Sequence, residues 1–223
     1  MSTVLSSLRY NDLFSKAFKC QFHVSSVEYL GYIVFSEGLK MYQEKVQKIL
    51  NWPAPRNLKV RQSFLGFANF YFCFINNYSK KASSLTSFLK KDSCFPLKKE
   101  ALSQFHQLKE AFTTAPILSH FNHSLPTILE TNAEHYALGA VLSLFFDLGK
   151  HPIAFSSHKS IPEELKYEIY DKELLGIVWA FLLSLSSPLE GFTNHSSLQY
   201  FMSSKSLTHC QARLAEFLSK FHL

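Results

Sequence analysis

No apolar run in the chain reaches the roughly 18 to 20 positions that a membrane-spanning helix needs. The nearest candidate, around residues 174–185, is broken by Ser184 and bounded by charges. No C-x-x-C pair occurs either. The four cysteines, Cys20, Cys73, Cys94 and Cys210, are scattered, so neither a zinc ribbon nor a disulfide framework is indicated. His151, His158 and His195 stand in no ligand-spaced pair with Cys or Glu, which removes the other simple zinc pattern. With no secretory leader ahead of the cysteines, a soluble chain in a reducing, intracellular setting is the expectation. No internal repeat is present. Acidic residues are in the minority, 17 against 23 Lys and Arg, for a net charge of +6 that permits a nucleic-acid partner without requiring one.

What is there is a globular composition. The chain has 223 residues, 47% apolar and 18% charged, with 22 Phe and 10 Tyr, so it can bury a sizeable core in one large domain or two small ones. Residues 22–40 mix β-branched and aromatic positions and predict two short strands and a turn. Helical spacing follows over 43–52, ended by Pro53 and Pro55, then over 57–78 in two pieces, 83–91 and 100–113. Short β-type runs at 127–130, 137–142 and 152–155 predict an antiparallel meander. The strongest helical pattern is 162–181, with Pro162, Glu163 and Glu164 placed as a first turn and Leu165, Ile169, Leu174, Ile177, Val178 and Phe181 on one face. A short strand at 197–201 and a closing helix at 211–221 complete an α+β order, with a domain boundary near residue 120.

Four stretches carry a resemblance: F-H-V-S-S-V-E-Y-L-G-Y-I-V-F-S-E-G (22–38), Q-S-F-L-G-F-A-N-F-Y-F-C-F-I-N-N-Y (62–78), T-A-P-I-L-S-H-F (114–121) and Y-E-I-Y-D-K-E-L-L-G-I-V-W-A-F (167–181). In this order and spacing they resemble the Pol polyprotein of gypsy-type long-terminal-repeat retrotransposons. The resemblance implies a reverse transcriptase palm end, thumb and connection-like region over residues 1–120, then an incomplete RNase H-like mixed sheet with flanking helices over 121–223. It implies reverse transcription, magnesium-dependent cleavage of RNA in RNA–DNA hybrids, and an RNA–DNA hybrid or single-stranded nucleic acid as partner. Leu30, Gly31 and Tyr32, after Tyr29, stand at the family's primer-gripping turn.

The departures matter as much as the matches. The family's adjacent Asp pair for polymerisation is absent from the chain. Two-metal hydrolysis needs anionic oxygens converging on hard cations. By resemblance these come from T-D-A, D-K-E-L-L and T-D-H motifs, with a fourth Asp near the C-terminus. Here the first reads Thr131-Asn132-Ala133, the second is intact and places Glu173, and the third reads Thr193-Asn194-His195. The chain stops before the fourth acid. About nine residues of the family's fourth strand are missing between Gly191 and Phe192, so the sheet loses that strand or builds it from other residues. Glu173 is thus the one retained metal ligand, and neither bound magnesium nor a working nuclease is expected.

Several bland readings stand beside these. Glu130 lies two residues before Asn132 on the same strand face, but a shift of about 7 Å misplaces a ligand that needs near-ideal geometry. Phe64, Phe67, Phe70, Tyr71 and Phe74 can stack on bases, yet their helical spacing reads as core. Lys80 and Lys81, Lys90 and Lys91, and Lys98 and Lys99 trace either a phosphate track or ordinary solvated surface. Against a truncated, inactive Pol fragment stand a nuclease-dead, host-adopted nucleic-acid-binding or interaction protein and an open reading frame whose product is unstable.

Overall fold

The computed structural model describes residues 2–87, 99–122, 124–134, 136–146, 149–183, 190–193 and 207–219. A nine-residue helix, α1 (Ser2–Tyr10), precedes the first sheet. Three short strands follow, β1 (Ser26–Tyr29), β2 (Tyr32–Phe35) and β3 (Gly38–Met41), paired antiparallel in chain order. The sequence suggested two strands here. The third forms because Leu39 and Leu118 exchange backbone bonds at 2.7 and 2.9 Å. Gly38 permits that approach: a Cβ there would lie 2.1 Å from the Leu118 carbonyl oxygen.

The helical region matches its expected periods. It comprises α2 (Gln43–Leu50), α3 (Leu58–Phe70), a 3-10 turn (Phe72–Phe74), α4 (Tyr78–Lys81), α5 (Ser83–Ser87) and α6 (Lys99–Thr113). Asn57 caps α3, its side chain accepting from the Val60 amide at 2.9 Å. The apolar faces converge on a core that includes Ile49, Phe64, Leu85, Phe105, Leu108 and Phe112, all 1% exposed or less. Residues 88–91 of the expected 83–91 helix lie outside the described residues.

The second sheet contains β4 (Thr127–Ala133), β5 (Ala137–Phe146), β6 (Gly149–Lys159) and β7 (Glu190–Thr193), in the order β6-β5-β4-β7. β4, β5 and β6 are antiparallel neighbours, while β7 runs parallel to β4, giving a mixed sheet. β5 and β6 extend well beyond their expected lengths. Pro152 interrupts the apolar pattern but not the strand, because a bulge after Leu142 absorbs it and its carbonyl accepts from the Ser119 amide at 2.8 Å. The residues flanking the Gly191–Phe192 junction build a four-residue strand, β7, in place of the shortened one.

The helix expected over 162–181 divides. Glu164–Lys166 is a 3-10 turn, Tyr167 is extended, and α7 runs Ile169–Leu183. Glu164 therefore does not sit in the first turn of the long helix. Its carboxylate instead accepts from the Ile161 amide at 2.8 Å and pairs with His158 Nε2 at 2.9 Å. The closing helix α8 (His209–Leu218) begins two residues earlier than its pattern suggests, at a Thr208/Gln211 capping box. The strand expected at 197–201 lies outside the described residues. A second apolar core joins Leu129 and Ala140 of the sheet to Leu174, Val178 and Ala180 of α7 and Leu218 of α8.

Burial pushes the Tyr78 phenol up to about 12, and burial aided by Cys73 and Tyr71 does the same for Tyr32. Between the ordinary phenol value near 10 and the folded value near 12, the unfolded chain gives up these protons while the folded chain keeps them. Stability should therefore be unaffected by these groups below pH about 10 and fall between pH 10 and 12. Thermal midpoints across that range, with Tyr78→Phe flattening the decline, are the check.

Candidate functional site

The faces of β4 are divided by the pleat. Leu129 packs against α7, and the Thr131 Cβ lies 4.0 Å from where a Cβ on Gly176 would stand, so α7 rides closely on this face. Its turn Asp171-Lys172-Glu173 is buried to 9%, 6% and 4% exposure, three charges in succession at positions that would be costly without partners. Each has one. Asp171 Oδ1 accepts from Gln211 Nε2 at 2.8 Å, and Lys172 Nζ donates to the Leu165 carbonyl at 3.0 Å. Glu173 Oε1 accepts from the Ala133 backbone N–H at 3.2 Å.

That last bond sets the geometry of the site. Thr193 of β7 pairs with Thr131 of β4. Two residues further on, the Ala133 amide is held by the Glu173 carboxylate. Glu173 is thus bonded to the backbone of the residue after Asn132. Asn132 itself is half-buried and lies directly opposite Gly139 of β5. Asn194 lies outside the described residues.

Neighbouring carboxylates are committed elsewhere. Glu130 pairs with Lys150 at 2.8 Å, and Glu134 with Lys80 at 2.6 Å. Among the described residues no group of three or more His, Cys, Asp or Glu converges as a metal site. The donors at hand, one carboxylate already accepting a backbone proton and one neutral carboxamide, do not fit a pair of hard divalent ions. Of the expected bland contacts, Lys81 also has a local use. It donates to the Asn76 carbonyl at 2.8 Å, and burial lowers its pKa, with Lys80 adding to the effect. Lys90, Lys91, Lys98 and His195 lie outside the described residues.

The turn at Leu30 and Gly31 forms a second feature. Both residues have positive φ, 50° and 81°, the pattern of a type I′ hairpin turn. A left-handed Leu costs roughly 1–2 kcal/mol, so the conformation must be imposed from outside the turn. The Gly31 carbonyl accepts from the Tyr42 amide at 3.2 Å and from Tyr71 Oη at 3.3 Å. Tyr32 is held among aromatics, with ring centroids 5.5 Å from Phe70, 5.4 Å from Tyr71 and 5.6 Å from Phe74, and its Oη donates to the Phe70 carbonyl at 3.1 Å. The tip stays in solvent: Tyr29 is 63% and Leu30 65% exposed. Beside it a cleft of about 290 Å³ is lined by Glu28, Lys45, Phe67, Phe70 and Tyr71. Phe64, Tyr71 and Phe74 are core, as their spacing suggested, but Phe70 is half exposed beside the cleft.

Residues 97–184 match the family described as the RNase H-like domain found in reverse transcriptase. The chain is 34% identical over 202 residues to the Transposon Tf2-3 and Tf2-4 polyproteins of Schizosaccharomyces pombe. These matches cover 87% of the chain but 15% of each relative, so the chain spans a small part of their length. Over residues 97–184 the chain is thus similar to the RNase H-like domain of reverse transcriptase. Among solved structures, the foamy viral protease-reverse transcriptase in complex with dsDNA matches at 25% identity and TM-score 0.70, over 90% of this chain and 43% of that one. The same protein in complex with RNA/DNA hybrid matches at 25% identity and TM-score 0.69, over 87% and 28%. A third foamy viral structure, "dRH in complex with ds DNA", is 24% identical with TM-score 0.72 over 87% and 36%, and shows the shared α+β fold. Among the described residues no helix is long and apolar enough to cross a membrane.

Sequence reasoning missed Lys150, whose pairing with Glu130 depends on strand register, and Gln211, although Gln211 ends a T-x-x-Q capping pattern. Glu173→Gln keeps an oxygen for the Ala133 amide and should cost less than about 1 kcal/mol of stability. Glu173→Ala strands that buried donor and should cost about 1–3 kcal/mol. Urea unfolding of both variants checks the ordering.

Proposed function

We propose that the chain is a retrotransposon-derived reverse transcriptase and RNase H segment that has lost hydrolysis while keeping a nucleic-acid-contacting surface. One observation carries the reading: the carboxylates on and beside β4 are already engaged, Glu173 by the Ala133 amide, Glu130 by Lys150 and Glu134 by Lys80. In the ancestral arrangement Asn132, Glu173 and Asn194 mark the positions that would hold magnesium. The metal's chemistry would be to activate water and stabilise the leaving oxygen. An Asn supplies one neutral oxygen in place of an anion, so two of three ligand charges are gone, and each 1.4 kcal/mol of lost transition-state stabilisation is about tenfold in rate.

The domain division proposed is 1–120 and 121–223. Two separate apolar cores support it, one drawn from Met41 to Leu118 and the other from Leu129 to Leu218. Nucleic acid is the proposed partner, in an intracellular setting; the foamy viral relatives in complex with dsDNA and RNA/DNA hybrid support the partner class. The surface proposed to meet it is the hairpin of Leu30, Gly31 and Tyr32 with its exposed tip and Lys45 beside it. That same surface favours the second reading, a host-adopted binding protein with no catalytic role.

Incubation with an RNA–DNA hybrid and magnesium should give no cleavage above buffer. Magnesium-dependent cleavage that Glu173→Gln abolishes would overturn the proposal. Binding of a labelled single strand or hybrid should weaken linearly in log–log form as salt rises. Absence of any binding at low salt would remove the nucleic-acid partner and with it the second reading.

A further inference from the structure

Three residues form a row across the second sheet. Asn132 of β4 is opposite Gly139 of β5, and Gly139 is opposite Ser157 of β6. Directly paired residues share a face, so all three positions present to the same side, away from α7.

The first turn of α4 lies on that row. The Asn77 carboxamide occupies the space over Gly139, where a Cβ would come within 2.3 Å of Asn77 Oδ1. Two residues on, the Ser79 amide donates to Ser157 Oγ at 3.0 Å. Lys80 then reaches Glu134, just past the end of β4 and two residues after Asn132, at 2.6 Å. Around this contact Lys159 Nζ donates to Thr86 Oγ1 of α5 at 2.9 Å, and Phe155 packs into the helical core. Asn77 holds a left-handed φ of 54°, one of the few non-glycine residues to do so. Asn tolerates that conformation better than most residues, and here it directs the side chain to Gly139 as the chain enters α4.

We propose that α4 is an autoinhibitory clasp: seated on the row that begins at Asn132, it closes this face of the RNase H-like sheet to a nucleic-acid duplex. The closure is steric and does not depend on whether the carboxylates are present. With α7 packed on the opposite face and Asn77 over Gly139, β5 meets the chain's own helices on both sides.

The test is binding of a fluorescent RNA–DNA hybrid, read by anisotropy at fixed salt, by the full chain and by its Lys80→Met/Ser157→Ala variant. Loss of a cation alone predicts weaker binding. Opening of the clasp predicts the opposite sign, tighter binding by about tenfold if the closed form holds roughly nine tenths of the wild-type molecules. Unchanged or weaker binding by a folded variant overturns the proposal. A second arm uses the two tryptophans, Trp52 in the helical core and Trp179 on α7, each read alone after changing the other to Phe. In the wild type the two thermal midpoints should coincide, because the clasp joins the two cores. Midpoints that differ by more than a few degrees there overturn the proposal even if the double variant fails to fold. Neither arm measures cleavage, so the result is separable from the proposed loss of chemistry.

Discussion

The hydrogen bond from the Ala133 amide to Glu173 holds the most consequential position in the fold. A carboxylate at 4% exposure loses most of its hydration, and a partner must replace it. The partner is the backbone donor of Ala133, the last residue of β4. One bond thus satisfies a buried charge, ends a strand and fixes α7 on the sheet. Asp171 and Lys172 extend the arrangement, tying α7 to α8 through Gln211 and to the preceding 3-10 turn through Leu165. A turn whose letters match a metal-binding helix is used here to assemble the domain.

The rest of the sheet follows from covering two faces at once. Thr131 and Gly176 bring α7 close on one side, and Gly139 and Asn77 bring α4 close on the other. Both contacts require the absence or smallness of a side chain, so they fix position more sharply than apolar packing alone. The first sheet is tied to the helices in the same manner, through Gly38 against Leu118 and the Gly31 carbonyl beneath Tyr71. Chain continuity between the two cores is therefore reinforced by polar contacts, including Ser119 to Pro152 and Lys159 to α5.

Much of this was legible beforehand where a signal is local. The amphipathic periods of α2, α3 and α6 were read correctly because spacing reports burial directly. The start of α7 was misplaced because Glu163 and Glu164 look like a helix's first turn, whereas Glu164 has a better use with His158 and the Ile161 amide. The third strand was missed because its stabilising partner, Leu118, lies far away in sequence. At the site, the substitution Asn132 and the surviving Glu173 could be read from the motifs. That Glu130 turns to Lys150, and Glu134 to Lys80, could not, since those pairs depend on strand register and on how the helical region seats.

The central claim is that Glu173 serves the fold and that this site does not hold magnesium. The direct measurement is the thermal midpoint of the chain in chelator and in magnesium at a level that saturates a two-metal nuclease. A ligand bound only by the folded state adds about 2.7 kcal/mol at a hundredfold excess over its dissociation constant, which moves the midpoint of a domain of this size by several degrees. The account predicts coincident melts. A magnesium-dependent rise that disappears in Glu173→Gln would contradict it.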